Sequence, residues 1–184
     1  MKRTMVFALM IPLLLTGCVS PRQDENEWKT WTASLSRAEE IAFTAEIVSR
    51  GGGGEIAFTA DVTRKGGRTA LTVTAPETIR GVTAAAEDGK KTLEYEGLIL
   101  ELDALGEDSL PPCSAGELLL RGIREGPLLW TGRSGEHRTG AFSLTDGETL
   151  TLWRGADGAP VYAEIARGES PELILRITNW HIKE

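Results

Sequence analysis

Apolar and polar positions alternate with a period of two through most of this chain. Ile41-Ala42-Phe43-Thr44-Ala45-Glu46 shows the pattern, and Ile56-Ala57-Phe58-Thr59-Ala60-Asp61 repeats it fifteen residues on. Alternation of this kind marks strands with one buried face. Only two copies occur, with Gly51 to Gly54 between them, so the echo reads as a hairpin rather than a solenoid. Two-residue turn signals then set the expected registers. Gly66-Gly67 places Lys65 opposite Arg68, Val62 opposite Leu71, Ala60 opposite Val73 and Phe58 opposite Ala75. Asp88-Gly89 places Ala84 opposite Leu93 and Val82 opposite Tyr95. Glu96-Gly97 places Tyr95 opposite Leu98 and Leu93 opposite Leu100. One face stays apolar through these pairings, and a one-residue slip would destroy that agreement.

Two segments change period. Glu25 to Glu40 spaces Trp28, Trp31 and Leu35 as a single helical stripe. Its two indoles either pack in the core or lid a cavity. After Pro111-Pro112, Ser114 is the expected cap of a short helix with Glu117 as its capping-box partner, and Gly126-Pro127 ends it. Five strands follow, near 128–133, 137–144, 149–154, 160–167 and 172–182. A loop at Asp146-Gly147-Glu148 sets Leu144 opposite Leu150 and Phe142 opposite Leu152. The expectation is a mainly β fold with helices (α+β). About eleven short strands form one antiparallel meander, curled enough to bury one face.

The first residues do not belong to that pattern. Lys2 and Arg3 precede an apolar run from Met5 to Leu15, too short to span a bilayer but suited to a signal peptide. The run ends in Leu15-Thr16-Gly17-Cys18, which resembles the bacterial lipobox. That resemblance implies cleavage before Cys18 and a diacylglyceryl and fatty acyl modification, such as palmitate, on its thiol and amine. Residues 1–17 are then a leader, 18–26 a lipidated end and polar tether, and 27–184 one domain. Apart from this covalent lipid no cofactor is expected. Val19, not Asp, follows the cysteine, so nothing there marks inner-membrane retention. The expected location is the extracytoplasmic face of the cell membrane, or the outer membrane in a host that has two.

Composition narrows the classes. The 184 residues carry 27 acidic and 20 basic side chains, a formal charge of −7. Without Lys2 and Arg3 and the rest of the leader, the charge becomes −9 over 167 residues. That balance lacks the basic excess that nucleic-acid binding needs. Two cysteines cannot staple a fold of this length. With Cys18 lipidated, Cys113 is the remaining thiol, either a small buried residue or a reactive one.

Catalytic constellations are thin. His137 and His181 sit in no metal-ligand spacing. Ser134, His137 and Asp146 lack a nucleophile elbow and fall around a hairpin. Glu94 and Glu96 belong to a solvated strand face. Glu101, Asp103, Glu107 and Asp108 do not have the spacing of a calcium loop. No catalytic or metal site is expected, and the chain reads as a non-enzyme. The candidate site is apolar: Trp28 and Trp31 over Val62, Leu71, Val73, Leu93, Tyr95, Leu98 and Leu100, among the small residues Ala60, Ala75 and Ala84. Small residues leave room for a ligand or for a closely packed helix.

The layout carries a resemblance. A lipobox, a helix leading into about eleven strands, and a helix between strands six and seven occur together. Leu152-Trp153-Arg154-Gly155-Ala156-Asp157-Gly158-Ala159-Pro160-Val161 reads as strand, turn and strand opening on proline. This resembles the LolA/LolB-like family of bacterial envelope proteins. Ala75-Pro76-Glu77 and Leu93-Glu94-Tyr95-Glu96-Gly97-Leu98 are similar to small lipoproteins of Gram-positive spore-forming bacteria, the spore germination lipoprotein among them. The resemblance implies an unclosed half-barrel with helices on its concave side. It implies one of two roles. The first is an anchored accessory protein that holds or regulates an envelope partner, such as a cell-wall-remodelling enzyme. The second is an anchored receptor or carrier for an acyl chain or other apolar ligand.

Overall fold

In the computed structural model, which describes residues 21–51, 54–101 and 110–184, eleven strands form one antiparallel sheet. They are β1 (Glu40–Gly51), β2 (Gly54–Lys65), β3 (Arg68–Ala75), β4 (Thr83–Glu87), β5 (Lys90–Tyr95) and β6 (Leu98–Glu101) in the first half. The second half adds β7 (Leu128–Ser134), β8 (His137–Ser143), β9 (Glu148–Arg154), β10 (Pro160–Arg167) and β11 (Ser170–Lys183). Their spatial order is β6-β5-β4-β3-β2-β1-β11-β10-β9-β8-β7. The first and last strands therefore meet in the centre, and β6 and β7 form the two edges. The sheet is curled, as the turn pattern predicts, and not closed, as the resemblance implies.

Helices α1 (Pro21–Arg37) and α2 (Ala115–Glu125) lie on its inner face. Trp28 and Leu35 of α1, and Leu118, Leu119, Leu120 and Ile123 of α2, are buried against Ile41, Phe43, Ile47, Phe142, Leu150, Leu152, Ile165 and Leu175. α1 crosses the strands. Its Asp24 reaches Arg133 at 4.0 Å and its Glu27 pairs with Arg138 beside β7 and β8. At its other end Ser36 accepts a hydrogen bond from Arg124 of α2 at its carbonyl, and Glu39 N–H bonds Lys183 O at 2.9 Å. α2 sits close because it carries glycine where it touches the sheet. A Cβ on Gly116 would lie 2.8 Å from Val62 Cγ1, and one on Gly122 would lie 2.7 Å from Leu150 Cδ2.

Most expected registers hold. Val62 pairs with Leu71, Ala60 with Val73, Ala84 with Leu93, Leu93 with Leu100 and Tyr95 with Leu98. Three details differ. A bulge between Thr59 and Ala60 gives Ala75 to Thr59 rather than to Phe58. β4 begins at Thr83, so Val82 bonds back to Val73 and is not paired with Tyr95. A 3-10 turn over Thr145–Gly147 closes the β8–β9 hairpin, with Leu144 N–H on Glu148 O. Phe142 therefore pairs with Leu150, two residues from the expected register, and the apolar face is unchanged.

Two end signals also differ. Ser114 makes no capping bond; a 3-10 turn over Pro112–Ser114 leads into α2, and Glu117 pairs instead with Arg121 at 3.2 Å. α1 begins at Pro21, so residues 21–26 are helix where a polar tether is expected. The leader and Cys18 lie outside the described residues.

Candidate functional site: the open half of the apolar face

The two halves of the sheet treat their inner face differently. On the β7–β11 side α1 covers it. Trp28 is buried and edge-on to Trp31 at 5.4 Å and to Phe142 at 5.7 Å. The ring of Trp28 rests against Gly140, where a Cβ would sit 3.0 Å from its atoms. Beneath both indoles lies the guanidinium of Arg154, itself buried. Its Nε donates to Gly158 O at 2.9 Å, while its Nη1 has no partner. Burial, with Arg138 adding like charge, holds its pKa down at about 10. The Trp28/Trp31 stripe here is packed core.

On the β2–β6 side the same face opens. One cross-strand row runs Phe43, Val62, Leu71, Ala84, Leu93 and Leu100. Exposure rises along it, from 0% at Val62 through 3% at Leu71 and 6% at Ala84 to 50% at Leu100. Tyr95 and Leu98, paired on this face at the β5–β6 turn, are exposed. Beside the row is an apolar groove of about 230 Å³, lined by Ile56, Phe58, Leu71, Val73, Ile79, Val82, Ala84, Pro112 and Cys113. Ile56 and Ile79 are exposed at its mouth. Cys113 is half-buried on its wall, and burial pushes its thiol pKa up, away from the reactive thiolate.

The structure thus divides the nine apolar residues expected from the sequence. Trp28, Val62, Leu71 and Val73 are buried, and Trp31 is partly so. Leu93 is half-buried, and Tyr95, Leu98 and Leu100 form an open rim. Sequence reasoning missed Ile56, Ile79, Val82 and Cys113, because the groove is made where the β1–β2 hairpin, the 77–82 turn and the Pro112 turn converge. It also missed Arg154, although a signal exists: Arg154 follows Leu150 and Leu152 in the inward phase of β9.

The polar candidates do not assemble. Ser134 and His137 face each other across the β7–β8 turn, exposed, and Asp146 lies beyond the opposite end of β8. Seven residues of strand separate them by roughly 20 Å. His181 and Glu94 are exposed on the surface. Asp103, Glu107 and Asp108 lie outside the described residues. Among the described residues no three His, Cys, Asp or Glu side chains group to hold a metal ion, and no helix is long and apolar enough to cross a membrane.

No family model and no curated protein sequence matches this chain. Solved structures do. A DUF1329 family protein from Desulfovibrio piger superposes with a TM-score of 0.52 at 10% identity, covering 89% of this chain and 94% of its own. A domain assigned to outer membrane lipoprotein sorting from Vibrio parahaemolyticus gives 0.50 at 9% identity over 86% and 93%. An uncharacterized conserved protein from Thermus thermophilus gives 0.50 at 9% identity over 88% and 89%. Identities this low carry architecture alone. In architecture the chain shares their fold: an unclosed antiparallel half-barrel with two helices on its concave side.

Proposed function

We propose that this chain is a lipoprotein anchored through Cys18 on the extracytoplasmic side of a membrane. It acts there as a non-enzymatic accessory module that binds an apolar segment of an envelope protein on its β2–β6 face. The observation that carries this reading is the row from Val62 to Leu100, continuous in register and progressively uncovered. A rim of Tyr95, Leu98 and Leu100 on a sheet edge is a surface to which a partner strand or apolar side chains can add.

The alternative is an anchored receptor or carrier for an acyl chain. The groove volume argues for the first reading. About 230 Å³ falls below the range that encloses a drug-sized ligand, roughly 300–1,000 Å³. The groove is also open, so it suits a few apolar side chains better than a lipid. The Trp28 and Arg154 packing fills the other half of the concavity.

Two measurements test this. Native mass spectrometry of residues 19–184 is expected to give a clean mass before and after incubation with phospholipid. A photo-crosslinker placed at Leu100 in intact cells is expected to give a discrete protein adduct, absent when the crosslinker sits at outward-facing Arg176. A co-purifying mass of an acyl ligand, with no protein adduct, would support the carrier instead.

A further inference from the structure

We infer that the β7 edge of the sheet rests against the bilayer that holds the anchor, with Trp130 and Leu129 in the interfacial layer. This rests on lipidation of Cys18, but concerns a different surface from the partner face. Three observations carry it. First, β7 is an edge strand, paired with β8 alone, and an edge exposes unpaired backbone groups. It also shows Leu129 at 55% and Trp130 at 49% exposure. Second, α1 runs from this edge toward the sheet centre, so its first residues lie at the β7–β8 corner, as the contacts of Asp24 and Glu27 fix. Third, Cys18 is three residues before Pro21. Three residues span at most about 11 Å. A lipid on Cys18 therefore brings this corner, rather than any other, to the membrane surface.

Trp130 and Leu129 lie three and four residues along β7 from Arg133, within about 14 Å of that corner, and their chemistry fits the contact. An indole has an apolar body and a polar N–H, the combination that places tryptophan at membrane interfaces. The chain is acidic, yet charges here balance: Asp24 pairs with Arg133, Glu27 with Arg138 and Glu25 with Lys29, and Glu136 in the β7–β8 turn is matched in number by Arg22. The corner thus escapes the repulsion from anionic lipid that the whole chain would meet. One consequence concerns the partner face. β6 is the opposite edge of the sheet, so the Tyr95, Leu98 and Leu100 rim is a separate surface from the one placed at the bilayer.

The test uses the full chain purified with its lipid and reconstituted in phosphatidylcholine vesicles. Intact mass first shows whether Cys18 carries the lipid, which tests the anchoring separately. Vesicles with brominated acyl chains then quench tryptophans that touch the interface. The expected result is quenching in the wild type that falls by more than half in Trp130→Phe and stays in Trp153→Phe. A second variant, Leu129→Ser, is expected to weaken quenching with no loss of folding, since Leu129 is exposed. A lipid-bearing wild type that is not quenched, or a Trp130→Phe protein quenched as strongly as the wild type, would overturn the assignment.

Discussion

Arg154 lies under the indole of Trp31, its guanidinium carbon 4.1 Å from the ring centroid, and Trp28 flanks it at 4.8 Å. The contact joins α1 to β9, so it fixes the helix that closes half of the concave face. A desolvated cation over an aromatic face contributes up to about 2 kcal/mol. Against this stands the cost of burying a charge whose Nη1 has no partner. Arg154→Ala removes both terms and leaves a void under two rings, and is expected to destabilise by about 3 kcal/mol. Arg154→Lys keeps charge but cannot lie flat between indoles while reaching Gly158 O; it is expected to cost about 1–2 kcal/mol. Urea unfolding monitored by tryptophan fluorescence measures both. Wild-type stability in both variants would show that the stacking contributes nothing net.

Gly140 provides the floor for Trp28. A Cβ there would meet three ring atoms at 3.0 to 3.2 Å, and a buried indole held by Phe142, Trp31 and Arg154 has nowhere to move. Gly140→Ala is expected to destabilise by about 2 kcal/mol through overpacking. Gly132→Ala, on the neighbouring strand β7, meets Thr139 Oγ1 at 3.3 Å and Trp130 at 3.7 Å, and is expected to stay within about 0.5 kcal/mol. Thermal unfolding of the pair separates a specific ring contact from a general intolerance of the β7–β8 hairpin to an added side chain.

Local chemistry explains why so much of the fold is readable from the chain. Gly66-Gly67, Asp88-Gly89 and Glu96-Gly97 all place residues at positive φ, which two-residue hairpins of this hand require. Each turn then fixes a register by counting. The count fails at β8–β9, where Thr145–Gly147 turns as a 3-10 helix rather than at Asp146-Gly147-Glu148. It also carries no information on β1 with β11, which join residues such as Ile47 and Leu175 across most of the chain. The candidate site divides along the same line. Leu93, Tyr95, Leu98 and Leu100 follow from hairpin counting. Which of them stays open depends on where α1 and α2 lie, and that is tertiary. Arg154 beneath the indoles is tertiary in the same way.

Tyr162 carries the clearest pH dependence. Its hydroxyl donates to Glu164 Oε1 at 2.8 Å, and burial together with that carboxylate pushes its pKa up to about 12. The folded state then binds a proton that the unfolded chain, at an ordinary value near 10, has released. Tyr162's contribution to stability is complete below pH 10 and is lost as pH rises through about 12. Tyr162→Phe lacks that term. Between those limits the wild type is expected to lose stability more steeply than the variant, in unfolding at fixed urea. An absorbance titration at the phenolate band should show a late component that the variant lacks. Parallel stability curves would assign the shift to something other than folding.

The row from Val62 to Leu100 makes opposite predictions at its two ends. Leu71 is 3% exposed beneath α2 and the groove, so Leu71→Ala removes buried methyl groups and is expected to cost about 2–4 kcal/mol. Leu100, half exposed at the β6 edge, has little burial to lose, and Leu100→Ser is expected to shift stability by no more than about 0.5 kcal/mol. Binding should run the other way. If the rim receives an apolar partner segment, Leu98→Ser with Leu100→Ser leaves a folded protein that no longer forms an adduct with a crosslinker moved to Tyr95. Leu93, half-buried between the two, should show both effects in part. A stability cost as large at Leu100 as at Leu71 would mean that β6 belongs to the core. Full adduct yield from the folded double variant would mean that the rim is not the receiving surface.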